Sequence, residues 1–350
     1  MDALQDSAPG WDAIDRALSR LYLRQEPKHY GPLVGDGSEP LAGIRAYKRI
    51  TPVPHWHFIT YGFSELYRKT SDDPQVSGFG FELTFRLANP DDAEAPPAWV
   101  PDFLQNLARY VFESGNAFHA GHYLNANGPI AADTATRIQA VAFAPDPELP
   151  AIETENGRVE FLQAVGITNE EEFALKRWST LRVLEVFLDY LPLWVTELDR
   201  ESLLDEVQIA ERLHEGSIHE GSSSAMVYTE QLEWRQQKRL LRRPITEIAL
   251  DSRQVGELLA LLPLRLPFGK PFSLIGPTAR IVFEPAQRNS AQVADEALHL
   301  RLNEATLRNL VACLRTQEGR YQVEGLDSVE VVVRKSEGHG HHDRVEPKLG

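Results

Sequence analysis

The stretch from His55 to Leu87 constrains the fold more than any other part of the chain. Its second half, SGFGFELTFRL, sets Phe79, Phe81, Leu83, Phe85 and Leu87 at alternate positions, with Gly80, Glu82, Thr84 and Arg86 between them. A period of two is the pattern of a β-strand with one buried face. A slip of one residue would expose the whole aromatic and aliphatic set, so the register is strongly specified. At about 25 cal/mol per Å² of apolar area removed from water, that face belongs to the main core. The first half, PHWHFITYGFSELY, adds Trp56, Phe58, Tyr61, Phe63, Leu66 and Tyr67, and Ser71-Asp72-Asp73-Pro74 supplies the turn that ends it.

At 350 residues, 42% apolar and 25% charged, the chain has the make-up of a globular protein with room for two domains. The single cysteine, Cys313, allows no internal disulfide and no Cys-based metal or dithiol site, which suits a reducing, cytoplasmic compartment. Neither a signal peptide nor a run of about 18 apolar residues is present, so no membrane association is expected. The net charge of −15 is uneven: residues 1–200 hold 17 Lys/Arg against 29 Asp/Glu, a net −12. This argues against nucleic acid as a partner and is compatible with a basic protein or peptide.

The chain reads as α+β, in two lobes that each carry a mixed or mostly antiparallel sheet with flanking helices. The first domain spans 1–200, 201–225 forms a linker, 226–335 forms a smaller α+β domain, and 336–350 is too poor in apolar residues to fold. Trp11, Ile14, Leu18 and Leu21 predict a helix over 9–22, and Pro101 begins another that runs to about Ser114. Strands are expected at 44–48, 137–143 and 159–166. Thr168 with Glu171 makes a capping box for a helix expected to bury Phe173, Trp178, Leu181, Leu184, Phe187 and Leu188, after which LPLWVTELD returns as a strand. In the second domain, strands are expected at 226–233, 244–250, 278–284 and 329–333, with helices at 252–262 and 304–314. The Gly- and Asn-rich segment GNAFHAGHYLNANGP is an irregular loop of the kind that carries recognition.

Catalytic signatures are missing. There is no GxxxxGK[ST], GxGxxG or GxSxG, and Cys313 lies in a helical apolar pattern that favours packing over nucleophilic work. His55 and His57 would share a strand face, but two histidines are not a metal site. His214 and His219 stand five apart, one too many for the HExxH zinc motif, and the tail histidines 339, 341 and 342 lack supporting groups. The basic segment Arg235, Lys238, Arg239, Arg242 and Arg243 is interleaved mostly with Gln and Leu, so it reads as a solvated face. No catalytic residue, metal or cofactor is expected. The competing reading is an enzyme or small-molecule binder built on His55, His57, His119 and His122.

The blocks HWHFITYGFSELY, SGFGFELTFRL, LARYVF, RIQAVAFAPDP and VEFLQAVGIT occur in the order in which they resemble the suppressor of fused family, over about residues 10–200. The resemblance is to a bacterial-type member. It implies a non-enzymatic cytosolic regulator whose two lobes close on an extended partner peptide by β-augmentation. It also implies partner binding at Tyr110, Phe118, His119, Gly121 and His122. The animal pattern, which serves Gli-type transcription factors, carries an acidic residue after that glycine, and here His122 stands in its place. An imidazole cannot make the same pairing with a peptide histidine, so a different partner is expected, with sequestration of a toxin, as by an immunity protein, the specific version.

Overall fold

The computed structural model describes residues 7–31, 39–132, 134–229, 232–239 and 242–334, with 238, 239 and 242–244 described by backbone alone. The tail 336–350 and the side chains of Lys238, Arg239, Arg242 and Arg243 lie outside the described residues. Two compact units divide the chain. The first comprises residues up to Glu172 with Thr180–Glu206, the second Phe173–Ser179 with the chain from Val207 on.

The first unit contains α1 (Pro9–Tyr22), β1 (Lys28–Tyr30), β2 (Gly43–Arg49), β3 (His55–Tyr61), β4 (Val76–Ala88), α2 (Trp99–Ser114), β5 (Tyr123–Asn125), β6 (Ile138–Pro145), β7 (Ile152–Thr154), β8 (Gly157–Thr168), the start of α3 (Asn169–Arg177) and α4 (Thr180–Phe187). Its sheet runs β1-β2-β3-β4-β8-β6-β5, with β7 pairing β8. Only β4 and β8 are parallel. The expected alternation of β4 is present: Phe81, Leu83, Phe85 and Leu87 face the main core, where Val100, Phe103, Leu104, Leu107 and Val111 of α2 meet them.

The other face of β4 corrects the expectation of a single buried face. Glu82, Thr84 and Arg86 are fully buried. This face is covered by a second cluster that includes Ile14, Leu18 and Tyr22 of α1 with Tyr47, Ile59, Tyr61, Leu149 and Phe161. Polar groups survive there because they pair with one another. The Arg86 guanidinium donates to Asp146 Oδ2 at 2.6 Å, to Glu148 Oε2 at 3.0 Å and to Gln163. Asp146 also accepts from Thr84 Oγ1 at 2.6 Å and from the backbone N–H groups of Glu148 and Leu149 at 2.8 and 2.9 Å. His57, directly across from Arg86 in the β3–β4 register, lies 3.5 Å from Asp146 Oδ2 and shares a 2.5 Å hydrogen bond with the Tyr22 hydroxyl. Glu82 accepts from Thr60 Oγ1, Ser64 Oγ and the N–H groups of Gly62 and Ser64, which ties down the turn after β3.

Beyond Thr168 the structure departs from the sequence reading in three places. The Thr168–Glu171 capping box forms, but the helix breaks at Trp178-Ser179. Phe173 of α3 and Leu181 of α4 are 38% and 41% exposed where burial was expected, and the break resets the helical phase for Leu181. LPLWVTELD makes a short turn at Pro192–Trp194, where Leu193 and Trp194 take positive φ and so leave the extended conformation, and only Thr196 bridges to β4. The third departure is the linker. Residues Val207–Glu220 form a helix, α5, that buries Ile209, Leu213 and Ser217. Its Gly216 is a packing residue, since a Cβ there would fall 2.5 Å from the Trp178 ring. The serines that follow are tethered: Ser222 Oγ donates to Lys176 O at 2.6 Å and Ser223 N–H to Trp178 O at 2.7 Å.

The second unit continues with β9 (Met226–Tyr228), β10 (Glu233–Arg239), β11 (Arg242–Asp251), α6 (Ser252–Leu261), β12 (Phe272–Ile275), β13 (Arg280–Pro285), β14 (Ser290–Ala294), β15 (Ala297–Leu302), α7 (Glu304–Cys313), β16 (Gly319–Gln322) and β17 (Val329–Arg334). It holds two mixed sheets, β10-β11-β17-β16 and β14-β15-β13-β12-β9, around one core.

Two outcomes follow for the buried network. Arg86→Met strands Asp146 as an uncompensated buried charge and is expected to lower unfolding free energy by about 3–5 kcal/mol in urea titrations; Arg86→Met with Asp146→Asn recovers part of that loss. Burial, reinforced by Arg86, pushes the His57 imidazole down to about 4 from its ordinary 6.5. The folded state therefore favours neutral His57. Its contribution is complete above about pH 6.5 and is lost as pH falls through 4. Measured from pH 7.5 to 5, the protein should lose about 2 kcal/mol relative to His57→Gln, and parallel pH curves would contradict the assignment.

Candidate functional site

The loop between α2 and β5 is held from below by aromatic stacking. Helix α2 ends at Gly115, whose φ of +73° closes the last turn through an N–H bond to Val111 O. The Asn116–Gly121 segment then drops Phe118 into the core, 4% exposed and stacked on Phe143 of β6 with ring centroids 4.2 Å apart and planes 16° from parallel. Tyr110 stacks on Phe118 at 5.6 Å, and its hydroxyl accepts from Asn116 Nδ2 at 3.2 Å. Among the residues singled out in the sequence, Phe118 is thus a buried support, while half-buried Tyr110 and exposed His119 offer surface for contact.

Gly121 makes the return into the strand. Its φ of +96° is open to glycine and strained for other residues, and its N–H donates to Phe143 O at 2.8 Å. His122 is half-buried. Its N–H donates to His119 O at 3.0 Å and its carbonyl accepts from Phe143 N at 2.9 Å, while its Nδ1 accepts from the His119 backbone N–H at 3.3 Å. The two imidazoles meet edge to face with centroids 5.2 Å apart. Burial and the neighbouring His119 lower the pKa of His122 below the ordinary imidazole value.

Strand β5 lies at the end of the sheet, and among the described residues of this unit β6 is its only strand neighbour. Hydrogen-bonded pairs alternate in an antiparallel ladder. The bonds from Phe143 N to His122 O and from Ala126 N to Gln139 O, with the register between them, make Leu124–Val141 a bonded pair. Asn125 therefore turns its backbone N–H and C=O toward the outer edge. Its side chain is engaged elsewhere, donating to Asn169 Oδ1 at 3.0 Å and Glu172 Oε2 at 2.5 Å, which pins the strand to the start of α3. Sequence reasoning found the loop but missed β5. A three-residue strand between an αL glycine and an Asn-rich turn falls below any periodicity window.

The structure does not gather His55, His57, His119 and His122. Strands β3 and β5 are separated by four strand spacings, about 19 Å at about 4.8 Å each. His55 is buried with Nδ1 2.7 Å from Val53 O, and His57 belongs to the Arg86 network. Among the described residues no three His, Cys, Asp or Glu side chains come together as a metal site. Cys313 is half-buried, and burial pushes its thiol up, away from nucleophilic character. Arg235 pairs with buried Glu247 at 2.6 Å. No described helix is long and apolar enough to cross a membrane.

A family model described as Suppressor of fused protein matches residues 37–201. The human Suppressor of fused homolog is 34% identical over 206 residues, covering 53% of this chain and 42% of the human protein, and the mouse homolog matches at the same identity and coverage. The chain therefore matches less than half the length of these curated relatives. In structure, Drosophila Suppressor of Fused superposes with a TM-score of 0.79 at 21% identity, over 95% of this chain and 99% of that one, so the fold is shared almost end to end. A chain of the Sufu-Fu complex crystal structure matches at a TM-score of 0.55 and 30% identity, over 59% of this chain and 98% of that one. Over residues 37–201, which hold β4 at the centre of the sheet and β5 at its edge, the chain belongs to the suppressor of fused family.

Proposed function

We propose that this protein is a non-enzymatic, cytoplasmic regulator that binds a protein partner by taking an extended segment of it onto the edge of β5. The observation that carries the reading is the terminal position of β5 in its sheet. A rigid sheet ends in a short strand that offers the Asn125 backbone outward, flanked by Tyr110, His119 and His122. Main-chain hydrogen bonds along such an edge supply affinity, and the flanking side chains supply selection. Membership of a family in which one solved member is a Sufu-Fu complex supports a protein partner. The strongly shifted titratable groups His57, Glu82 and Asp146 are buried in structural pairings within the first unit, which favours binding over catalysis.

The net −12 of residues 1–200 favours a partner of positive net charge, steered in by the long-range field. Sequestration of that partner, as an immunity protein holds a toxin, is the specific form of this reading.

The test is affinity capture from cells of the native host, followed by titration of the recovered partner. Asn125→Pro removes one outward-facing N–H together with the side chain that bonds Asn169 and Glu172, so relative to Asn125→Ala, which removes the side chain alone, it should weaken binding at least about tenfold with an unchanged circular dichroism spectrum. A folded Asn125→Pro variant that binds like the parent would reject the β5 edge.

A further inference from the structure

Each described strand histidine engages one ring nitrogen within the fold, and Nε2 of His55 and Nε2 of His57 are buried without a hydrogen-bond partner. His29 Nε2 accepts from Arg45 Nε at 2.9 Å, His55 and His57 are bonded as described, and His299 lies 3.4 Å from Glu284. The pair beside β5 differs. Among the described residues no carboxylate lies within ion-pair distance of His119 or His122, and each ring has the other as its aromatic neighbour. Because the His119 backbone N–H donates to His122 Nδ1, neutral His122 carries its proton on Nε2, so its far side is a fixed hydrogen-bond donor. A second imidazole 5.2 Å away, exposed on the same loop, adds a further ring N–H. Next to an edge strand, that is a receptor for an acceptor with two oxygens.

We infer that His119 and His122 form a subsite that selects a carboxylate, an Asp or Glu side chain of the partner segment lying along β5. This inference rests on the reading of β5 as the binding edge. The acidic field of the first 200 residues draws in a partner that is positive overall, and the imidazole pair reads one residue of it. Long-range charge sets the encounter, and a close hydrogen-bonded pair sets the choice. A carboxylate there receives charge-assisted hydrogen bonds, which are stronger than those of a neutral amide. A lysine or arginine at the same place meets the fixed Nε2–H donor of His122 and is disfavoured.

The probe is a displayed library of random seven-residue peptides, selected on the full chain and on His122→Glu, His119→Gln and Asn125→Pro. The subsite predicts that peptides dependent on Asn125 carry Asp or Glu at one fixed position. Changing that residue to Asn or Gln should weaken binding about tenfold. The preference should weaken in His119→Gln and turn to Lys or Arg in His122→Glu. Peptides that depend on Asn125 but show no acidic position, or keep it in His122→Glu, would overturn the carboxylate subsite and leave the β5 edge standing. Recovery of no Asn125-dependent peptide would overturn both.

Discussion

The first unit depends on one buried ion pair. Arg86 and Asp146 sit fully inside the protein 2.6 Å apart, and neither could be there without the other. Arg86 comes from β4, the central strand, and Asp146 from the turn that follows β6, so the pair joins strands that β8 separates. Around it Thr84, Gln163, Glu148, Tyr22 and His57 add further hydrogen bonds, while Arg86 Nε and His57 Nε2 stay buried without a partner. The result is a sheet buried on both faces, apolar toward α2 and mixed polar and apolar where α1 covers it. Asp146 accepts the next two backbone N–H groups as well, so the end of β6 is held in place by the same carboxylate.

That constraint reaches the candidate site in two steps. With its end fixed, β6 presents Phe143 to the opposite face, where Phe118 stacks on it and Tyr110 on Phe118. The backbone of Phe143 bonds Gly121 and His122 and so sets where the loop turns into β5. The loop thus inherits the rigidity of the sheet, which is what the proposed docking edge on a three-residue strand requires. The buried histidines and the loop histidines divide accordingly. His57 is bound into the fold, whereas His119 and His122 keep their outward donors.

Much of this was legible in the residues. The β4 alternation placed the core, Thr168 and Glu171 placed a helix start, and the aromatic blocks identified the family. The residues could not show that Glu82, Thr84 and Arg86 face a second buried layer. A polar face reads as solvent-exposed unless its partners are known, and Asp146 lies 60 residues away in sequence. Composition misled at 207–220, where Gly and Ser suggested a linker but Ile209, Leu213 and the close approach of Gly216 to Trp178 make a packed helix. The helix expected after Thr168 broke at Trp178, which no local propensity announces. At the site, the loop stood out by composition, but the edge position of β5 is a property of sheet order, and strand order is written in long-range pairing.

Residue-resolved hydrogen exchange on the isotopically labelled chain, alone and with its partner bound, tests the central claim most directly. Addition of a strand to β5 predicts that the Asn125 amide, which faces the outer edge, becomes protected on binding while the Leu124 amide, already bonded to Val141, changes little. Protection that leaves Asn125 exchanging at its free rate and appears elsewhere on the molecule would contradict the account.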